Sequence, residues 1–123
     1  MPKTFIERRL SEILNDLGLK HICNARVDRY EIDALLERYP VAIEADGTLW
    51  HGGERMRRDK LRDAILHRQG YKVIRIWGTD LVRNPGKVRE KLIVKLAGIV
   101  DNFQCLNRRE LAILLDVKAK RIP

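Results

Sequence analysis

Cysteine and long apolar runs are both scarce in this sequence, and each shortage excludes something. There are two cysteines, Cys23 and Cys105, and neither belongs to a CxxC or another local ligand pair. That argues against a zinc site and for two reduced thiols. No apolar run approaches the ~20 residues that a bilayer-spanning helix requires. The opening MPKTFIERRL has no signal-length apolar stretch ahead of its charges. A cytoplasmic protein with no membrane partner is the expectation. Internal repeats and low-complexity segments are also missing.

What is present suits one domain. The chain has 123 residues, 45% of them hydrophobic, and a net charge of +8. A basic surface attracts polyanions, of which nucleic acid is the commonest. Charge alone does not decide between nucleic acid and an acidic protein partner.

Thr4 followed by Glu7 has the spacing of a capping box. Phe5, Ile6, Leu10, Ile13, Leu14 and Leu17 then recur at helical spacing, which predicts a helix over 4–17 ending at Gly18. Residues 19–26 carry no decisive pattern. Strands are expected over 30–37 and 41–45, and their short connection makes them an antiparallel hairpin. A second helix is expected over 54–69, with Met56, Leu61, Ala64 and Ile65 facing the core and Gly70 ending it. Residues 71–77 alternate with apolar residues on both parities, which predicts a central strand covered on both faces. Helices over 86–100 and 108–115 complete an α-β-β-α-β-α-α order, a small mixed α/β sandwich.

The chemistry-bearing stretch runs from Asp33 to Asp59. Glu44 and Asp46 are two apart, so on a strand they share a face. Asp33 falls in the neighbouring strand, where opposite residues lie ~4.5–5.5 Å apart. Three carboxylates at that range repel one another, and a hard divalent cation would remove the repulsion. Spacing leaves a second reading open, in which these are solvated turn acids and Asp46-Gly47 is simply a turn. His51 has the chemistry of a general acid or base, and equally of a loop residue. Trp50 is a core ring or a flat surface for a base. Asp59 shares a helix side with Asp63 and Leu66, so it points toward the hairpin end or pairs with a neighbouring cation. Arg55, Arg57, Arg58, Lys60 and Arg62 form a basic run beside the acids, a phosphate-contact surface or a wet helix face.

Two strings in this region, AIEADGTLWH and RRDKLRDAILHRQGYKVIRIW, resemble the core of very-short-patch-repair endonucleases. The same strings are similar to DUF559-type proteins and to the EDxHD homing endonucleases, all within the PD-(D/E)xK nuclease superfamily. TFIERRL resembles that family's first helix, so the likeness covers residues 4–80. It implies a restriction-endonuclease-like core of a small mixed sheet flanked by helices. The family pattern of Glu, Asp, a variable residue, His and Asp falls on Glu7, Asp33, Asp46, His51 and Asp59. The repair enzymes have histidine where this chain has Asp46. That departure favours the homing or DUF559 branch, and the absence of their longer loop and zinc ligands argues against recognition of a T·G mismatch.

The resemblance implies hydrolysis of a DNA phosphodiester bond, with double-stranded DNA as partner. Mg²⁺, or Mn²⁺ in its place, would be held by Asp33 with Glu44 or the Ala45 backbone carbonyl. Glu7 would act through water, His51 as general acid or base, and Asp59 as its partner. Asp46 would tune the metal site. Residues 1–105 are then expected to be the catalytic domain, and 106–123 a C-terminal helix leading to a linker or DNA-binding region. A nucleoid-associated protein of a bacterial or phage-infected cell follows. A homodimer would supply two cuts, though no apolar patch in the sequence argues for one. The alternatives are a non-catalytic DNA-binding module of the same fold and a repair nicking endonuclease.

Overall fold

The computed structural model describes residues 3–46, 53–97 and 99. The expected C-terminal helix, Trp50 and His51 lie outside the described residues.

Helix α1 (Lys3–Asp16) buries Ile6, Leu10, Ile13 and Leu14, the helically spaced apolar residues. The helix ends in a Schellman motif. Gly18 has φ +74, Leu19 N donates to Leu14 O at 2.9 Å, and Gly18 N donates to Asn15 O at 3.0 Å. Glycine is needed there because a side chain disfavours positive φ.

Three strands follow: β1 (His21–Val27), β2 (Tyr30–Leu36) and β3 (Val41–Asp46). β1 pairs antiparallel with β2 through a two-residue turn, in which Asp28 has φ 57. This strand falls in the stretch the sequence left unassigned. Only Ala25 and Val27 of it are buried. An edge strand with so few inward residues has little alternation to read. β2 and β3 form the expected antiparallel hairpin.

Helix α2 (Gly53–Arg68) carries the chain over to β4 (Lys72–Trp77), which pairs parallel with β3. α2 ends in a second Schellman motif, with Gly70 at φ +95 and Tyr71 N donating to Leu66 O at 3.0 Å. Helices α3 (Gly78–Arg83) and α4 (Pro85–Leu96) follow. The short α3 has no sequence pattern of its own and was not expected.

The strand order is β1-β2-β3-β4, so β4 is an edge strand rather than the central one expected. Its apolar residues on both parities have a different cause. Ile74 and Ile76 pack with α1, α3 and α4, while Val73 packs with Leu66 of α2 on the opposite face. Two covered faces do not require two neighbouring strands.

The two layers differ. The α1/α3/α4 face holds the large core, and the α2 face only Val27, Ile32, Ala42 and Leu66 with a few half-buried neighbours. The expectation that Leu61 and Ala64 face the core fails: Leu61 is 58% exposed and Ala64 is exposed. The inward side of α2 is instead Asp59, Arg62, Asp63 and Leu66, at i, i+3, i+4 and i+7. That side is mostly charged, and the charge builds the site.

Candidate active site

Among the described residues, the buried charged side chains are Asp33 and Glu44, 6% and 5% exposed. Backbone pairing of β2 with β3 is confined to Ala34↔Ile43 and Leu35↔Ala42. Carried one step further, that register sets Asp33 directly across from Glu44. The carboxylates therefore stand where the strands stop pairing. Ala45 N donates to Asp33 Oδ2 at 2.8 Å, so a side chain takes the place of a ladder acceptor.

Burial pushes the Glu44 carboxyl up to about 8, and the facing Asp33 charge adds to the rise against the pull of Arg62. Arg62 Nη2 donates to Glu44 Oε1 and, at 2.5 Å, to the Glu31 carbonyl. The guanidinium also lies 5.6 Å from the centre of the Tyr30 ring. Arg62, expected to face DNA, is thus turned inward onto an acid of the protein itself.

Asp46 lies one strand repeat beyond Glu44 on the same face. Its carboxylate accepts from Arg75 Nη1 at 3.0 Å. Arg75 grips Asp63 with two further bonds, Nη2 to Oδ1 at 2.6 Å and Nε to Oδ2 at 3.2 Å. Burial works against the Arg75 charge, but Asp63, Asp46 and Asp59 outweigh it and hold its pKa above the ordinary value. Lys91 Nζ donates to the Arg75 carbonyl at 2.9 Å. Asp46, Asp59, Lys60, Asp63, Arg75, Trp77 and Lys91 line a cleft of about 350 Å³. Asp59 therefore lines the same cleft as Asp46 at the end of β3, the first of the two placements its helical position allowed.

Glu7 reaches the region from α1. Oriented to donate, the Asn24 amide nitrogen lies 3.0 Å from Glu31 Oε1 and 3.3 Å from Glu7 Oε1. Asn24 has φ 53 and, between the pairs Cys23↔Ala34 and Ala25↔Ile32, stands opposite Asp33 in register. Asparagine tolerates that left-handed backbone better than most residues. Arg57, Arg58 and Lys60 are exposed on α2.

Sequence reasoning missed Asn24, Arg75 and Lys91. A signal for Arg75 existed, since strand alternation puts it on the face of Val73, toward α2. Nothing in the sequence signalled Asn24 or Lys91.

No group of three or more His, Cys, Asp or Glu side chains is gathered for a metal among the described residues. The Asp33–Glu44 pair still fits Mg²⁺, which usually takes one or two carboxylates and completes its shell with water.

A family model, REase_MTES_1575, matches residues 6–96. The chain belongs to this restriction-endonuclease-like family. A relative in Haemophilus parainfluenzae, the type II nicking enzyme V.HpaIIP, is 30% identical over 102 residues, covering 66% of this chain and 72% of that protein. The catalytic domain of the homing endonuclease I-Bth0305I superposes with a TM-score of 0.64 at 24% identity. That match covers 76% of this chain and 94% of that domain, and it shows the fold. The REase_MTES_1575 domain described here is thus a PD-(D/E)xK-like nuclease domain, as its sequence resemblance implied. No helix among the described residues is long and apolar enough to cross a membrane.

Proposed function

We propose that this domain is a divalent-metal-dependent endonuclease that hydrolyses phosphodiester bonds of double-stranded DNA, as the catalytic domain of a homing or nicking enzyme. The observation that carries the reading is the buried Asp33–Glu44 pair at the end of the β2–β3 pairing. The two facing carboxyl groups sit together in the fold while Glu44 keeps its proton, and a hard cation would let both be ionised. The names of the nicking and homing relatives support a DNA substrate.

Asp33 and Glu44 would hold Mg²⁺ or Mn²⁺, with the Ala45 carbonyl as a further candidate. When bound, the ion supplies neutralisation of phosphate charge and a more acidic water. The chain's own residues do the rest. Glu7, engaged by the Asn24 amide, orients the attacking water from the α1 side. His51 is assigned the proton transfer from its sequence position, with Asp59 as its partner. Asp46, tied to Arg75, steadies the site and is not itself a ligand. Arg57, Arg58 and Lys60 meet the DNA backbone.

The test is conversion of supercoiled plasmid to the nicked or linear form with Mg²⁺. Cleavage that disappears with chelator and in Asp33→Asn supports the reading. Cleavage that persists in Asp33→Asn, or none from the folded wild-type protein, overturns it.

A further inference from the structure

Arg62 is placed unusually for a residue that merely fastens a helix to a sheet. A guanidinium is a rigid fork that normally meets a carboxylate with two parallel N–H groups. Here one nitrogen, Nη2, serves both Glu44 Oε1 and the Glu31 carbonyl. Arg62 Nε is buried with no hydrogen-bond partner. A buried donor without an acceptor is a cost to the fold. Arg75, on the neighbouring strand, grips Asp63 with the fork fully used, so this protein builds the satisfied arrangement elsewhere.

We propose that Arg62 is the resident counter-ion of the Asp33–Glu44 pair, that a divalent cation displaces it, and that the displaced guanidinium then contacts the bound phosphate. The inference rests on the metal-dependent reading above. The carboxylate that holds Arg62 is one of the two offered to the ion, so the two cations compete for its charge. Two cations at neighbouring positions in a desolvated site repel strongly. Arg62 is also short of acceptors where it stands, and a phosphate supplies several suited to its planar fork. The Tyr30 ring beside the guanidinium provides a face along which it can turn. In the metal-free protein Arg62 is seated on Glu44. In the loaded protein it is free for substrate.

The experiment measures Mn²⁺ binding by calorimetry and electron paramagnetic resonance, without DNA, on the wild-type protein, Arg62→Gln and Arg62→Lys. Arg62→Gln is expected to bind Mn²⁺ at least about tenfold more tightly, because the competing charge is gone. Arg62→Lys keeps the charge and is expected within about threefold of wild type. Unchanged or weaker binding in Arg62→Gln, or equal tightening in Arg62→Lys, overturns the proposal. The wild-type protein provides a readout that does not depend on variant folding. Its Arg62 Nε–H resonance, assigned by its loss in Arg62→Lys, is expected to shift and lose exchange protection as Mg²⁺ is added. A resonance that stays unchanged while the metal binds overturns the proposal.

Nicking is read separately at saturating Mn²⁺. There Arg62→Gln is expected to fall at least about tenfold while its metal affinity rises. Mn²⁺ that displaces Arg62 in a protein that nicks nothing would sink the nuclease reading alone. Nicking with Arg62 still seated on Glu44 would sink this inference alone.

Discussion

Glu44 and Asp46 sit two residues apart on the same face of β3, and each meets an arginine, yet the two clusters are built differently. Around Glu44 the Arg62 guanidinium bonds one of two buried carboxylates, Arg75 acts on it from farther off, and the other partners of Arg62 are a carbonyl and an aromatic ring. Around Asp46 the cleft carries three acids, Asp46, Asp59 and Asp63, and three cations, Lys60, Arg75 and Lys91. The first cluster is deeply buried and keeps a proton on Glu44, and the second sets three acids against three cations nearer the surface. A buried acid pair that ionises only at a cost is a reason to bind a cation; a network of opposite charges is a reason to stay in place. The residue types are the same in both, so their roles follow from burial and partner count.

The strongest way to break this comparison is to exchange the clusters' functional weight. Asp33→Asn removes a carboxylate from the buried cluster and is expected to lower Mg²⁺-dependent nicking more than roughly hundredfold, beyond the usual effect of losing an outer partner of a metal ligand. Asp46→Asn in the balanced cluster is expected to keep most of that activity. Plasmid nicking assays on both variants check this, and an equal loss would mean that Asp46 is itself a ligand.

The buried pair also has a pH signature. Glu44 ionises near 4.5 in the unfolded chain and at about 8 in the fold. Between those values the unfolded state has released a proton that the native state still holds. The contribution of Glu44 to stability is therefore complete below pH 4.5 and falls as pH rises toward 8. The loss is on the order of a few kcal/mol. Denaturant melts of the metal-free protein should show this slope, and Glu44→Gln should remove it. Mg²⁺ should stabilise the protein more at pH 8 than at pH 5.5, because binding needs the ionised carboxylate.

The buried cluster was legible as a set of acids, and its cation was not. Period-two spacing gave Glu44 and Asp46 one face, and the hairpin brought Asp33 beside them. The glycines at 18 and 70 marked helix ends that the backbone does adopt. Arg62 lies 18 residues from Glu44, and Arg75 lies 29 from Asp46. Partners that far apart meet only once α2 is laid across the sheet, and no local period encodes that. Glu7 entered through family resemblance, because its link runs through Asn24, a strand residue in a left-handed conformation that no pattern marked. β1 escaped notice for the same reason that it tolerates Asn24: as an edge strand it owes little to burial.

Arg75→Met sharpens the other half of the comparison. It leaves Asp46 and Asp63 without their shared cation, both in half-buried positions. Removing one partner of a fully buried pair costs about 3–5 kcal/mol. Partial exposure here reduces that to about 2 kcal/mol. Chemical denaturation measures it. Mn²⁺ affinity should change far less than in Arg62→Gln, because the Arg75 network does not occupy the Asp33–Glu44 pair. A metal affinity that follows Arg75 would join the two clusters into one site.

Both clusters depend on the rotational setting of α2, since Arg62 and Asp63 come from its inward side. That setting is testable with two leucines five residues apart. Leu66 is fully buried beneath the helix, whereas Leu61 is 58% exposed. Truncating a buried leucine to alanine costs about 2–5 kcal/mol, through lost transfer energy and the cavity left behind. An exposed site costs within about 0.5 kcal/mol. Leu61→Ala is therefore expected to be nearly neutral in thermal melts, and Leu66→Ala strongly destabilising. A large loss from Leu61→Ala would mean that α2 is turned the other way, with its apolar residues inward as their hydrophobicity suggests. Arg62 and Asp63 would then point to solvent, Glu44 and Arg75 would lose their partners, and the difference between the clusters would vanish with them.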